Sequence, residues 1–487
     1  MTAPERLAAA CLAPSFPGHE APDWVLRLLE RGLGGITLFA YNVRDPAQLA
    51  ALTGRLRDDA EILVAIDEEG GDVTRLEAAS GSSYPGNFAL GLVDDPALTR
   101  EVGAAIAGEL AAAGVNLNLA PVADANTNPL NPVIGVRSFG ADPELVARHV
   151  AAFVEGTQRQ GVAACAKHFP GHGDTSVDSH HDLPVVEGDL ESALLPFRAA
   201  IDAGVRAVMT GHLLVRALDD VPATLSPTIL GGLLRGELRF GGLVVTDALE
   251  MRAISAGVGV EEGAVRALAA GADLLCLGHD LHEDAAEAVL RAIVDAVREG
   301  RLPLDRLEEA AARVGETARW ASSPRAEGAP GRAVGAEAAR RSLRVRGRPS
   351  LTGPPFVLDL VPAANVAAGV HEHGLADLWP GAERVRVTGP AEPVGLLVDH
   401  PDREVVVVLR DAGRHQWQAD LAHALLELRP DVFIVETGLP GGPSAAVETA
   451  GAGRVNLEAA YEALTAPNVR GSRAVRNGQL DREPPLR

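Results

Sequence analysis

Three short segments of this 487-residue chain collect residue types that move protons and stabilise charge. The densest runs Lys167-His168-Phe169-Pro170-Gly171-His172-Gly173-Asp174-Thr175-Ser176-Val177-Asp178-Ser179-His180-His181-Asp182, where an apolar run flows into small, charged and imidazole residues. Loops of this composition usually hold function. Asp178 and His180 can face each other across one residue; the carboxylate then orients the imidazole and raises its basicity, giving a proton shuttle near neutral pH. The competing reading is a solvated loop whose histidines cap turns. The second segment, Val244-Val245-Thr246-Asp247-Ala248-Leu249-Glu250-Met251, reads as an apolar strand ending in an aspartate that begins a helix. A carboxylate held there can act as a nucleophile or stabilise positive charge, as retaining glycoside cleavage requires opposite a proton donor. Its bland alternative is a helix N-cap. The third, Ile66-Asp67-Glu68-Glu69-Gly70-Gly71-Asp72-Val73-Thr74-Arg75, places an acceptor and an arginine eight residues apart around a tight glycine turn. That pair can clamp vicinal hydroxyls, or form a salt-bridged turn without function.

Rigid elements must bring these segments together. From residue 34 to about 280, short apolar runs recur between segments with apolar residues at helical spacing: Gly35 to Phe39, Ile62 to Ile66, Val115 to Leu119, Val162 to Ala166, Val205 to Met209, Leu243 to Val245 and Asp273 to Leu277, with an earlier one near Leu7 to Leu12. Helices are predicted over Asp95 to Ala113 and Pro143 to Gln160, each starting at an Asp-Pro turn and stopping beside a glycine. Seven or eight parallel strand-helix units predict a (β/α)8 TIM barrel, whose active site sits past the strand ends. The polar residues that end the runs are Asn42, Asp67 with Glu68 and Glu69, Asn126 and Arg137, Lys167 and His168, His212, Asp247, and His279 with Asp280.

After Trp320 a polar, Gly/Pro-containing stretch reads as a linker, so the chain divides into a catalytic barrel at 1–320, a linker at 321–335 and a C-terminal domain at 336–487. The last contains a helical segment at Ala336 to Leu343, apolar runs at Phe356 to Leu360, Val405 to Leu409 and Val432 to Val435, and a helical pattern from Gln418 to Leu428, which predicts a smaller α/β sandwich without chemistry of its own.

Composition narrows the partners. A net charge of -22 without a basic block, and 3% aromatic residues, argue against nucleic acid or an anionic membrane. Cys11, Cys165 and Cys276 lie far apart in apolar surroundings, which suits buried thiols in a reducing compartment. The N-terminal segment lacks the apolar core of a secretion signal and no run is long enough to span a membrane, so the expected location is cytoplasmic. Of 44 Lys and Arg residues one is lysine, Lys167, inside the densest polar run.

Taken together, the run Lys167 to His180, the Asp67-Glu68-Glu69-Gly70-Gly71 segment with Arg75, the Asn131-Pro132-Val133-Ile134-Gly135-Val136-Arg137-Ser138-Phe139-Gly140 segment and Thr246-Asp247-Ala248-Leu249-Glu250-Met251 resemble the β-N-acetylglucosaminidases of glycoside hydrolase family 3, over residues about 5 to 320. The resemblance implies a two-domain enzyme of peptidoglycan-recycling type, without cofactor or metal, that hydrolyses terminal β-linked GlcNAc from a small carbohydrate substrate. It implies Asp247 as the nucleophile that forms a covalent glycosyl-enzyme, His180 as general acid/base with Asp178 as its partner, and Asp67, Arg75, Arg137, Lys167 and His168 as sugar ligands with His172 nearby. Where relatives show Asp-Gln-Glu-Gly-Gly followed by a basic residue, this chain has Glu68 and Asp72, and the added charge is expected to alter what is tolerated beyond the first sugar. Three alternatives remain: transfer of the sugar to phosphate by the same residues, a metal-dependent barrel hydrolase using His168, His172, His180, His181 and Asp182, and a non-catalytic sugar-binding barrel.

Overall fold

The computed structural model describes every residue except 1, 59–60, 180–181, 279–281, 323–327, 364–366, 370–371 and 467–487. Eight parallel strands form the first domain: β1 (Leu12–Ala13), β2 (Gly35–Leu38), β3 (Leu63–Ile66), β4 (Leu117–Asn118), β5 (Ala163–Phe169), β6 (Ala207–Thr210), β7 (Leu243–Thr246) and β8 (Leu275–Cys276). Strands β2 to β7 pair in sequence order, β8 pairs with β1, and Val245 bridges to Leu274. The Thr37 amide donates to the Pro14 carbonyl at 3.0 Å, joining β1 to β2 and closing the barrel.

Both faces of these strands are covered, which is why they read as apolar runs. Inside, Leu63, Ala65, Leu117, Cys165, Ala207, Leu243 and Val245 pack with Val314 and Ala318 of the helix Leu304–Ser322. Outside, Ile36, Val64, Ile66, Val208 and Val244 pack against the ring of helices. The helices Pro96–Ala112 and Pro143–Arg159 start where the Asp-Pro turns predict, with Asp95 and Asp142 accepting from the first-turn amides. The earliest strand differs from expectation: the alanine-rich segment Ala3–Ala10, with Pro4 in its first turn, is helical, and the strand begins only at Leu12.

The second domain is a six-stranded sheet in the order β11-β10-β12-β13-β14-β9, built from β9 (Arg344–Val345), β10 (Phe356–Leu360), β11 (Glu383–Val387), β12 (Val405–Leu409), β13 (Phe433–Glu436) and β14 (Val447–Glu448). Only β9 runs antiparallel. The helix Gln416–Leu428 packs on one face through Leu421 and Leu425, and the helix Arg454–Thr465 on the other through Leu457 and Leu464, which makes the expected α/β sandwich.

This domain docks on the mouth of the barrel. Asp72 pairs with Arg410 and accepts the Ala452 amide at 2.7 Å, while Arg414 donates to the Asn131 carbonyl at 2.8 Å. Asp72 is 4% exposed and turned into the second domain. Its charge is therefore taken up between the domains and does not line the barrel cavity, contrary to the expectation that it acts on the substrate. Glu68 departs from that expectation too. It is buried, and its carboxyl group accepts the amides of Arg75 at 2.8 Å and Leu76 at 3.0 Å, holding the loop it belongs to. Burial pushes its pKa up to about 7.

Candidate active site

A cavity of about 510 Å³ opens at the C-terminal ends of the barrel strands. Asp67, Arg75, Arg137, Lys167, His168, His172 and Asp247 all line it. Asp178 is buried and lies outside the lining, and His180 falls outside the described residues; Ser179, between them, lines the cavity.

The acceptors and cations form one buried network. Lys167 projects from β5, 2% exposed, with Nζ 2.6 Å from Asp67 Oδ1 and 2.7 Å from Glu69 Oε1. Arg137 grips Glu69 from the other side through two parallel bonds of 3.0 and 2.8 Å. Burial works to raise the Glu69 pKa, but the Arg137 and Lys167 charges overcome it and hold this carboxyl well below the usual range. Burial likewise works to lower the Lys167 pKa, and Asp67 and Glu69 overcome it, so the ammonium stays charged. Arg75 completes the group 3.9 Å from Asp67 and donates to the Ala367 carbonyl of the second domain at 2.9 Å.

The histidine run is held by an aspartate that sequence reasoning missed. Asp124, fully buried, accepts the His168 Nδ1 hydrogen at 2.7 Å and the His172 amide at 2.7 Å. Because an ionised carboxylate only accepts, this bond fixes which nitrogen of His168 carries the hydrogen. The turn then needs its glycines. A Cβ on Gly173 would lie 1.7 Å from the Ala125 carbonyl oxygen, and Gly171 has φ +128. His172 is pushed down to about 4, by burial and by the neighbouring His168, and so is neutral near pH 7. Thr175 donates to the His172 carbonyl at 3.0 Å, leaving its oxygen to accept from His172 Nδ1 at 2.6 Å. Nε2 is then an acceptor and lies 3.4 Å from the Ser179 hydroxyl. His172 thereby ties the turn after β5 to the residue that precedes His180.

Asp247 follows β7, and its Oδ1 accepts the Ala248 amide at 2.8 Å. It does not begin a helix: a turn intervenes and the next helix starts at Arg252. Strand-end geometry therefore places it, and the N-cap reading is overturned. His212 is fully buried and outside the cavity lining; it bridges the Thr224 hydroxyl at 2.8 Å and the carbonyl of the lining residue Ala248 at 3.0 Å, which braces the segment beside Asp247. Asn42 is likewise structural, its side chain bonding Phe39, Phe16 and Gly18.

Residues given no role in the sequence analysis also face the cavity: Glu69, named there only as ending a run, and Glu250, Arg252, Tyr41, Cys276, and Ala367 with Gly369 from the second domain. Burial pushes the Cys276 thiol up to about 12, which leaves it protonated and a poor nucleophile. Among the described residues the lining carboxylates Asp67, Glu69, Asp247 and Glu250 are matched in number by Arg75, Arg137, Lys167 and Arg252. Dense donors and acceptors of both signs, beside Phe39, Tyr41 and Met209, suit a polyhydroxylated ring. Among the described residues no cluster of three His, Cys, Asp or Glu side chains is arranged to hold a metal ion, and no helix is long and apolar enough to cross a membrane.

Comparison with known proteins agrees with this geometry. Residues 17–317 match the model of the glycosyl hydrolase family 3 N terminal domain. Beta-hexosaminidase A of Pseudoalteromonas piscicida is 36% identical over 325 residues, covering 60% of this chain and 54% of that protein, so the chain spans about half the length of that relative. Beta-hexosaminidase of Thiobacillus denitrificans is 39% identical over 276 residues, covering 54% of this chain and 76% of that protein. The solved structure of a glycoside hydrolase family 3 beta-N-acetylglucosaminidase from Paenibacillus sp. strain FPU-7 is 35% identical, with a TM-score of 0.84, and the match covers 96% of this chain and 97% of that one. The barrel, the cavity at its mouth and the match over residues 17–317 establish that this chain belongs to glycoside hydrolase family 3.

Proposed function

We propose that the chain is a retaining exo-β-N-acetylglucosaminidase that removes terminal β-linked GlcNAc from peptidoglycan-derived fragments or chitooligosaccharides. The observation that carries this reading is the presence of Asp247, at the end of β7, in the same cavity as Asp67, Arg75, Arg137, Lys167 and His168. The names of the similar proteins support it. Asp67 and Lys167 bind ring hydroxyls as acceptor and donor, Arg75 and Arg137 hold the acidic residues of the cluster in place, and His168 contributes a ring nitrogen whose partner is fixed by Asp124.

In the first step a carboxylate oxygen of Asp247 attacks the anomeric carbon while the bond to the leaving oxygen breaks. His180, oriented by Asp178, gives that oxygen its proton. In the second, His180 takes a proton from water, whose oxygen forms the new bond to the anomeric carbon and displaces Asp247. The work is assigned to the cytoplasm, where the buried thiols Cys11, Cys165 and Cys276 stay reduced.

Turnover of an aryl β-N-acetylglucosaminide tests the activity, and a 5-fluoro sugar with mapping of the labelled peptide tests the mechanism. The label is expected on the peptide that holds Asp247. Equal turnover by wild type and Asp247→Ala, or a label elsewhere, overturns the proposal. GlcNAc-1-phosphate formed in phosphate buffer would instead identify phosphate as the acceptor.

A further inference from the structure

A second cavity, of about 280 Å³, lies in the C-terminal domain at the C-terminal edge of its parallel sheet. The order β11-β10-β12 means that the chain leaves β10 for a neighbour on one side and then returns to its other side. In open parallel sheets that reversal leaves a crevice beyond the strand ends, and ligands bind there. Here the crevice is walled by Leu360 to Ala363 at the end of β10 and by Leu409 and Arg410 at the end of β12.

The strand at its centre carries an exception that packing does not require. β10 reads Phe356-Val357-Leu358-Asp359-Leu360 and is flanked by strands on both sides, a position where continuous apolar residues are the rule. Asp359 interrupts the run, and directly opposite it in the parallel ladder stands Arg386 of β11. The guanidinium and carboxylate are 3.8 Å apart, longer than a hydrogen bond, and both line the cavity. The barrel cavity holds the same arrangement, Asp67 with Arg75 at 3.9 Å after a parallel strand. Arg386 is anchored by a bond from Nη2 to the Glu372 carbonyl at 2.8 Å, and a carboxylate acceptor beside a guanidinium held at this spacing, over an apolar floor of Leu360, Pro362 and Leu457, matches two neighbouring hydroxyls on a ring of monosaccharide size.

We propose that this crevice is a second sugar-binding site, in which Asp359 and Arg386 clamp adjacent hydroxyls of a neutral monosaccharide. The site communicates with the barrel by two described contacts. Gly369 lines both cavities, and Arg410, in the wall of the second, pairs with Asp72 in the loop that carries Asp67 and Arg75. A sugar bound in the crevice thus touches the structure that orients the barrel's sugar ligands. The paired acid and arginine of the two sites are different residues, and the assignment of the crevice does not depend on the proposed hydrolysis.

The test is calorimetric titration of the full-length protein with N-acetylglucosamine and, separately, with D-glucose. Asp67→Ala removes the acceptor of the barrel cavity and is expected to retain one saturable sugar site. Adding Asp359→Asn to it is expected to weaken that remaining site at least about tenfold, while Asp359→Asn alone hydrolyses an aryl substrate at the wild-type rate. Should Asp359→Asn fail to fold, Arg386→Gln, on a partly exposed side chain, makes the same comparison. Loss of all sugar binding in Asp67→Ala, or binding unchanged when Asp359 or Arg386 is altered, overturns the second site. A wild type that hydrolyses no hexosaminide, yet binds sugar in the Asp67→Ala background, overturns only the proposed catalysis. Preference for N-acetylglucosamine over glucose would identify the reaction product as the ligand.

Discussion

Replacing Lys167 by arginine keeps the charge and changes only its shape, so it isolates what the sole lysine of the chain contributes. The ammonium sits 2.6 Å from Asp67 and 2.7 Å from Glu69 and is almost completely buried. Arg137 already occupies the far side of Glu69 with its own planar group. A second guanidinium is wider than the ammonium and must either displace Asp67 or turn away from it, because both oxygens of Glu69 already accept the fork of Arg137. A hydrogen bond to a charged group contributes about 1.5–3 kcal/mol, so losing the Asp67 contact alone corresponds to about 10- to 150-fold in kcat/KM. Lys167→Met differs in kind: it leaves Asp67 and Glu69 short of one buried countercharge and is expected to cost about 3–5 kcal/mol of stability. The experiment therefore pairs kcat/KM on an aryl β-N-acetylglucosaminide with thermal unfolding for both variants. Lys167→Arg should lose activity at a melting temperature much nearer wild type than that of Lys167→Met. Wild-type turnover by Lys167→Arg would refute the reasoning, since shape would then be irrelevant and the lysine a compositional accident.

Three further predictions rest on single residues. Asp124→Asn presents an amide to the His168 Nδ1 hydrogen and the His172 amide and should lower kcat/KM at least about tenfold with the fold retained; unchanged kinetics would remove Asp124 from the positioning of the histidine run. At the opposite end of the barrel, Asp273 is fully buried and takes Arg235, Arg306, Arg313 and the Val244 amide, so Asp273→Asn should cost about 3–5 kcal/mol in chemical denaturation while kcat/KM of the folded fraction holds. Glu68, with its pKa raised, binds a proton more readily when folded than when unfolded, so its contribution is fully present below its unfolded value of 4.5 and is lost as pH rises through about 7. Glu68→Gln should accordingly gain stability relative to wild type between pH 4.5 and 7, by up to about 3 kcal/mol above that window, and a pH-independent difference would contradict burial as the cause.

The barrel was legible because parallel strands covered on both faces must be apolar throughout, and the turns between them carry Asp-Pro starts and glycine stops. Elements that escape that rule were not legible. β11, Glu383-Arg384-Val385-Arg386-Val387, is an edge strand that alternates charged residues with valine, and its pattern gives no apolar run. The run near Leu7 to Leu12 reads as a strand, yet its first four residues end the helix Ala3–Ala10, because alanine is apolar in composition and helical in preference. Contacts across the domains were out of reach in principle: Arg75 and Ala367 meet across 292 residues, and nothing local in either segment encodes the other.

The segment after β3 shows how far local reasoning extends. It holds four acids within six residues, Asp67, Glu68, Glu69 and Asp72, and the fold gives them different work. Extended chain alternates its side chains, so Asp67 and Glu69 share one side and Glu68 must take the other. That alone predicts the observed division, with Asp67 and Glu69 on Lys167 in the cavity and Glu68 turned back onto the amides of Arg75 and Leu76. Beyond the glycines the alternation is lost. Gly70 and Gly71 have φ +80 and +61, and Gly71 lies against Gly86 so closely that a Cβ would stand 2.8 Å from its Cα. The direction of Asp72 is therefore set by a packed turn and by Arg410 of another domain, neither of which the period of a strand can supply. Charge at the site is thus read correctly only when each acid is assigned a side before it is assigned a role. Counting the acids together gives Glu68 and Asp72 an effect on the substrate, whereas neither lines the cavity.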